Sequence, residues 1–264
     1  MNDLAIDRTL RARWQPDGDG FVCDVPEGWM QGRSVFGGLT AALMAALGRR
    51  HVGDGRVLRG QSMSLARPVS AGALSGQVAT LRQGKGVHFV EVRLRQNGET
   101  VATASLTFVA LRRPSVRVEG PPRWRGPDPD SLPELPYLPG LMPEFVQRVD
   151  MRWASGAPPF SGASDARFEG YCRFRGPSGD AEGLLALLDV WPSPTLSLVT
   201  TPAPASTVTW SAHLLEIPEA MADWYAFSYR TIAGHDGFHT VMGELHGPDG
   251  RLVAWTEQLM AIFD

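Results

Sequence analysis

The sequence predicts an α+β fold built twice, each time as an antiparallel sheet wrapped around one central helix. Three observations predict it. The stretch GGLTAALMAALG at 37–48 is helix-like but has no polar face. The first 112 residues read in the order β-β-α-β-β-β-β. The same order returns after residue 143, beyond a proline-rich linker.

The run at 37–48 is rich in Ala and Leu, which favour helix. A helix that is apolar all round must be buried all round. Gly48 followed by Arg49 and Arg50 marks its expected end, with cations near the negative end of the helix dipole. Ahead of it, RARWQ and GFVCDV read as a short hairpin. After it, VLRGQSMSLA at 57–66 alternates loosely and is followed by a turn from Pro68 to Gly72. ALSGQVATLRQ, a QGKG turn at 83–86, VHFVEVRLRQ at 87–96 and ETVATASLTFVALR at 99–112 complete a meander. Val90, Val92 and Leu94 alternate with Glu91, Arg93 and Arg95, and the Asn97-Gly98 turn is a strong hairpin signal.

Residues 113–143 are dense in proline and have no period, as expected of a linker, although Tyr137, Leu138 and Leu141 are expected to pack on the surface. Beyond them, VQRVDMRWA and ARFEGYCRFRG read as strands. SGDAEGLLALLDV at 178–190 reads as a helix over 179–189, with Ser178 as N-cap and acids in the first turn. Four further strands follow: STVTWSAHLLEI, DWYAFSYRTIAG, DGFHTVMGELHGPDG and RLVAWTEQLMAIF. The expected domains are therefore 1–112, a linker at 113–143, and 144–264, related by duplication. One helix followed by an antiparallel meander, present twice, is the double hot-dog fold.

Bulk properties narrow the function classes. At a net charge of −3 nothing suggests a nucleic-acid or acidic-membrane partner. The two cysteines, Cys23 and Cys172, make neither a zinc spacing nor a disulfide framework. The N-terminus lacks the apolar core of a signal peptide, and the longest apolar run is too short for a bilayer. A cytoplasmic protein without metal or cofactor is the expectation.

Several segments resemble the acyl-CoA thioesterase II family and its thioesterase-like relatives. They are VFGG at 35–38, LARPVSAG at 65–72, LLDVWPSP at 187–194, TVTWSAH at 207–213 and DGRLVAWTEQ at 249–258. Their order and spacing carry the resemblance over nearly the whole chain outside the linker. It implies hydrolysis of acyl-CoA thioesters by an Asp, a Thr and a Gln in the second hot-dog. Those residues fall on Asp189, Thr207 and Gln258, with Thr209 an open alternative for the Thr. It also implies an acyl-CoA substrate and a homodimer of double hot-dogs. Val-Trp-Pro after Asp189 departs from the family pattern, which bears on substrate shape.

The duplication permits an internal test. Matching Gly38 to Gly183 sets Asp189 against Met44. Matching Leu65 to Leu214 sets Thr207 against Leu58, and matching Gly98 to Gly250 sets Gln258 against Leu106. Three polar groups thus stand where the other half is apolar. An unpaired buried polar group costs about 1–3 kcal/mol, so three of them call for a common partner. A water shared by carboxylate, hydroxyl and amide would supply it. Asp189 would act as general base, its pKa raised by burial. Gly37 and Gly38, at an electropositive helix start, would hold the oxyanion.

Plainer readings stand beside these. Asp189 before Pro192 suits a solvated turn, Thr207 is an ordinary strand residue, and Gly37-Gly38 suits close helix–sheet packing. No GxSxG elbow or P-loop occurs. His235 and His239, four apart on a strand, are separated by about 13 Å. They are too far apart for one metal, and with His246 they read as surface or hairpin residues. Trp191, Trp210, Trp224 and Trp255 read as core. Arg49-Arg50 and Arg112-Arg113 are solvated ends or contacts for CoA phosphates. Rival functions are a hot-dog enoyl-CoA hydratase, although Asp189 has no His nearby in sequence, and a non-catalytic acyl- or aromatic-ligand carrier.

Overall fold

The structure, a computed structural model, describes residues 4–113, 115–116, 118 and 120–263. The first three residues, and Pro114, Arg117 and Glu119 of the expected linker, lie outside the described residues.

The first half begins with β1 (Gln15–Asp17), β2 (Gly20–Val25) and a small hairpin of β3 (Met30–Gln31) and β4 (Ser34–Val35). Helix α1 (Gly37–Val52) and the meander β5 (Val57–Leu65), β6 (Gly72–Gln83), β7 (Val87–Gln96) and β8 (Glu99–Val109) follow. The second half runs β9 (Val149–Gly156), β10 (Arg167–Phe174), α2 (Asp180–Leu187), β11 (Ala205–Leu214), β12 (Tyr225–His235), β13 (Phe238–His246) and β14 (Leu252–Ile262). The fold is the double hot-dog.

The two expected sheets are halves of one. Twelve strands form a continuous antiparallel sheet in the order β1-β2-β6-β7-β8-β5-β11-β14-β13-β12-β10-β9. The order is a palindrome of corresponding strands, joined where β5 pairs with β11. Ser62 faces Ser211 in that seam, their hydroxyls 3.1 Å apart, so repeat mates meet on the two-fold axis.

The register repeats as well. β5 carries a bulge between Leu58 and Gly60 opposite β8, and β11 carries one between Thr207 and Thr209 opposite β14. Leu58 pairs with Phe108 and Gln61 with Leu106, while Thr207 pairs with Met260 and Trp210 with Gln258. A one-residue slip would turn each side chain to the other face, so shared bulges fix the mates Leu58/Thr207 and Leu106/Gln258.

Helix α1 is buried from Gly38 through Gly48. It extends to Val52 and stops at Gly53, whose φ is +79°, not at Gly48. Gly48 is instead a packing residue: a Cβ there would lie 2.3 Å from Leu106 Cδ1. The two helices run antiparallel, with the α1 N-terminus against the α2 C-terminus. A Cβ on Gly38 would lie 2.7 Å from the Ala186 carbonyl oxygen, so glycine is what lets the helices approach. At the other end, Arg49 lies in the field of Glu182 and Asp180 near the start of α2.

Other local expectations are corrected. Most of RARWQ is not strand: Arg8–Arg13 form a 3-10 turn started by the Asp7 carboxylate, which accepts from Thr9 N–H. Leu10 and Trp14 are buried, and the Trp14 indole donates to the Leu43 carbonyl. Helix α2 ends at Leu187. Leu188 N–H still reaches the Leu184 carbonyl, but Asp189 N–H turns tightly to that of Ala186. Its N-cap is Gly179, and the Ser178 hydroxyl donates to the Met221 carbonyl instead. In the linker Tyr137 packs on the core, whereas Leu138 and Leu141 are exposed. Trp124 ties that segment down through Gly250 and the Tyr171 hydroxyl.

Candidate active site

The Thr207 hydroxyl donates to Gln258 Oε1 at 2.7 Å, and Gln258 Nε2 donates to Asp189 Oδ1 at 2.9 Å. The amide therefore has a fixed sense, with its carbonyl toward the threonine and its NH2 toward the carboxylate. Three elements supply the chain of bonds: the turn after α2, the bulged start of β11, and the middle of β14. Gln258 is 1% exposed, and Asp189 and Thr207 are half-buried. Thr209 lies on the opposite face, exposed, beside Ser62, Ser64 and Ser211 in a shallow groove on the outside of the sheet. The bulge makes this difference between two threonines that share parity in the sequence.

The helix N-terminus completes the arrangement. Gly38 N–H donates to the Asp189 carboxylate. A Cβ on Gly37 would lie 2.6 Å from Asp189 Oδ2, so only glycine admits the carboxylate there. The positive end of the α1 dipole also favours the anion. Burial dominates nonetheless and pushes Asp189 up to about 7, against the opposing hydrogen bonds from Gln258 and Gly38. Such a carboxylate is a usable base near neutrality.

The repeat mates form no such network. Met44 and Leu106 are fully buried and Leu58 is nearly so. Gly37–Gly38 lie against Asp189, so the Gly38 donor is engaged by the carboxylate in this state. Gly37 N–H makes no hydrogen bond among the described residues.

Outside this cluster the expectations divide. Trp191 and Trp210 are core. Trp224 packs against the guanidinium groups of Arg152 and Arg173, and Trp255 stacks on His213. Arg49 and Arg50 sit at the far end of α1, about 20 Å from Gly37 at the helical rise, packed over Phe108 and Phe21. His235 is exposed, and His246, at the end of β13 beside the turn to β14, is buried against Trp124: a hairpin residue, not a surface one. No group of three or more metal-type ligands occurs among the described residues, and no helix there is long and apolar enough to cross a membrane.

One residue near the carboxylate escaped the sequence reading. Tyr229, on β12, is 2% exposed. Burial and then the Asp189 charge hold its phenol well above its ordinary pKa, so it stays protonated. The repeat comparison would have flagged it had it been extended to β6 and β12.

Family models match both halves: the acyl-CoA thioesterase N-terminal domain over 25–109 and the acyl-CoA thioesterase C-terminal domain over 127–262. No curated protein matches the chain in sequence. Among solved structures, a conserved protein of unknown function with a hot dog fold from Alicyclobacillus acidocaldarius superposes with a TM-score of 0.87. It is 22% identical, covering 97% of this chain and 98% of that one. A putative thioesterase II from Thermobifida fusca gives a TM-score of 0.80 at 23% identity, covering 95% and 94%. The acyl-CoA thioesterase II TesB2 of Mycobacterium marinum gives 0.76 at 15% identity, covering 97% and 98%. At these identities the likenesses show the fold, and the two family models show the family. The chain belongs to the acyl-CoA thioesterase family and is a thioester hydrolase.

Proposed function

We propose that this hydrolase acts on acyl-CoA thioesters through water activated by Asp189, Gln258 and Thr207. Its unit of function is the pair of hot-dogs, 1–112 and 144–264, joined by the segment 113–143. The observation that carries the reading is the directed chain Thr207 to Gln258 to Asp189, set against the N-terminus of α1. Water oxygen bonds to the acyl carbon as its proton passes to Asp189. The carbonyl electron pair moves onto oxygen, within reach of the Gly37 N–H. Collapse breaks the C–S bond and releases CoA as thiolate, a good leaving group that takes its proton from Asp189 or solvent. Because Thr207 gives its own proton to Gln258, its lone pairs remain to accept the water's second hydrogen. The decisive experiment is a panel of acyl-CoA thioesters assayed for release of free thiol. Binding without turnover across the panel would make the chain a carrier instead.

Two expected results arise here. The base must be ionised, so kcat/KM should rise tenfold per pH unit below about 7 and level off above it. A profile flat from pH 5 to 9 would exclude Asp189 as the base. Thr207→Val should lower kcat by about tenfold or more, the cost of one buried hydrogen bond and a misplaced water. Thr209→Val, altering the outer face of the sheet, should leave kcat within about twofold. The reverse pattern would reassign the threonine.

A further inference from the structure

In the first half Val78 on β6 pairs with Val92 on β7. The register gives their mates. Thr80 pairs with Val90 beside a bulge, and Thr231 pairs with Val241 beside a bulge in the same position. Val78 therefore corresponds to Tyr229, and Val92 to Gly243, and these two are paired as well. Where one copy has a valine–valine pair, the other has a tyrosine–glycine pair.

The exchange is spatially coupled. A Cβ on Gly243 would lie 3.1 Å from Tyr229 Cδ2 and 2.6 Å from Phe227 Cζ. The ring thus lies across the glycine, in space a valine side chain would occupy. Gly243 pairs onward with Thr256 on β14, two residues from Gln258. The glycine therefore clears a path from β12 toward the catalytic amide. Phe168, edge-on at 5.8 Å, and Phe227, at 5.1 Å, hold the ring. Its hydroxyl has no hydrogen-bond partner among the described residues, and it lies in the field of Asp189.

Chemistry at Asp189 has a matching gap. Gly38 N–H is engaged by the carboxylate, which leaves Gly37 N–H as the free backbone donor for a developing oxyanion. We propose that Tyr229 donates a hydrogen bond to the thioester carbonyl oxygen, and to the oxyanion formed from it, as partner to Gly37 N–H. This rests on the hydrolase reading with Asp189 as base. No proton leaves the phenol. Water oxygen bonds to the acyl carbon, the carbonyl pair settles on the oxygen facing Tyr229, and the C–S bond then breaks.

Tyr229→Phe keeps the ring among its aromatic neighbours and removes only the hydroxyl. With the best CoA thioester from the panel, kcat should fall about 10²-fold, as for loss of one oxyanion donor, with the melting midpoint little changed. Two inert analogues of that thioester locate the contact. One is the ketone in which CH2 replaces sulfur, and the other is the hydrocarbon in which the carbonyl is also CH2. The variant should bind the ketone about tenfold more weakly and the hydrocarbon equally well. Parental kcat overturns the proposal, as does a fall in kcat with both analogues weakened alike or neither weakened. If the Phe variant does not fold, Gly243→Ala tests the same contact by crowding the Phe227 and Tyr229 rings, 2.6 and 3.1 Å from the new Cβ, with the same selective loss expected. An active Asp189→Asn would sink the base assignment and leave the ketone comparison intact, so the two failures are distinguishable.

Discussion

Asp189→Asn should remove about 10²–10⁴ of kcat, the usual cost of losing a general base. The substitution keeps the side-chain volume, and its carbonyl can still accept from Gln258 Nε2, which now meets Asp189 Oδ1 at 2.9 Å. What is lost is the ability to take the water's proton. Stability supplies an independent signature. Asp189 is raised from an ordinary 3.8 to about 7, so its neutral form is the one the fold prefers. Its stabilising contribution is fully present below the unfolded pKa and is lost as pH rises through about 7. The Asn variant carries no such charge, so its melting midpoint should gain on the parent's between pH 5 and 8. Near-parental kcat in the folded variant would mean that another group activates the water. An unchanged difference in melting across that pH range would mean that the carboxylate is not buried as described.

Gly37→Ala should be nearly as damaging to turnover, by about 10²-fold, while costing only about 1–3 kcal/mol of stability. The added methyl would stand 2.6 Å from Asp189 Oδ2 and 3.7 Å from its Cγ. The carboxylate cannot simply rotate away, because its other oxygen is held by Gln258. Either that bond breaks or the first turn of α1 moves, and both displace the base relative to the Gly37 N–H. Alanine's better helix propensity, worth about 1 kcal/mol, offsets part of the strain. The informative comparison is kcat against melting midpoint. Inactivity with modest destabilisation locates the effect at the site. Full activity would show that the glycine serves packing alone.

Much of this was legible beforehand because the chain states its fold twice. A helix with no polar face fits only inside a wrapped sheet, and the Asn97-Gly98 hairpin turn has positive φ at both residues, +53° and +81°. The family resemblance supplied Asp189, Thr207 and Gln258, and comparing the copies supported them because each stands opposite an apolar residue in the other half. The choice between Thr207 and Thr209 was not legible: an extra residue in a strand changes which face a side chain takes, and nothing in the alternation marks it. The end of α1 was misplaced for a related reason. Gly48 looks like a stop signal, but its missing side chain serves contact with Leu106 and Phe108. The joining of the sheets through β5 and β11 depends on edge backbone groups, which leave no trace in side-chain pattern. Tyr229 was missed because a second tyrosine in a strand that already carries Tyr225 and Phe227 is unremarkable until its partner Gly243 is set beside it.

The seam at Ser62 and Ser211 bears on how such a chain evolves. In a pair of identical, separately encoded hot-dogs, every mutation strikes both ends of the helix pair at once. A gain at one end is tied to its consequence at the other. Covalent joining unties them, and here the mates differ: position 44 is methionine where 189 is aspartate, and position 78 is valine where 229 is tyrosine. One copy is released to refine packing while the other carries the polar groups that packing disfavours.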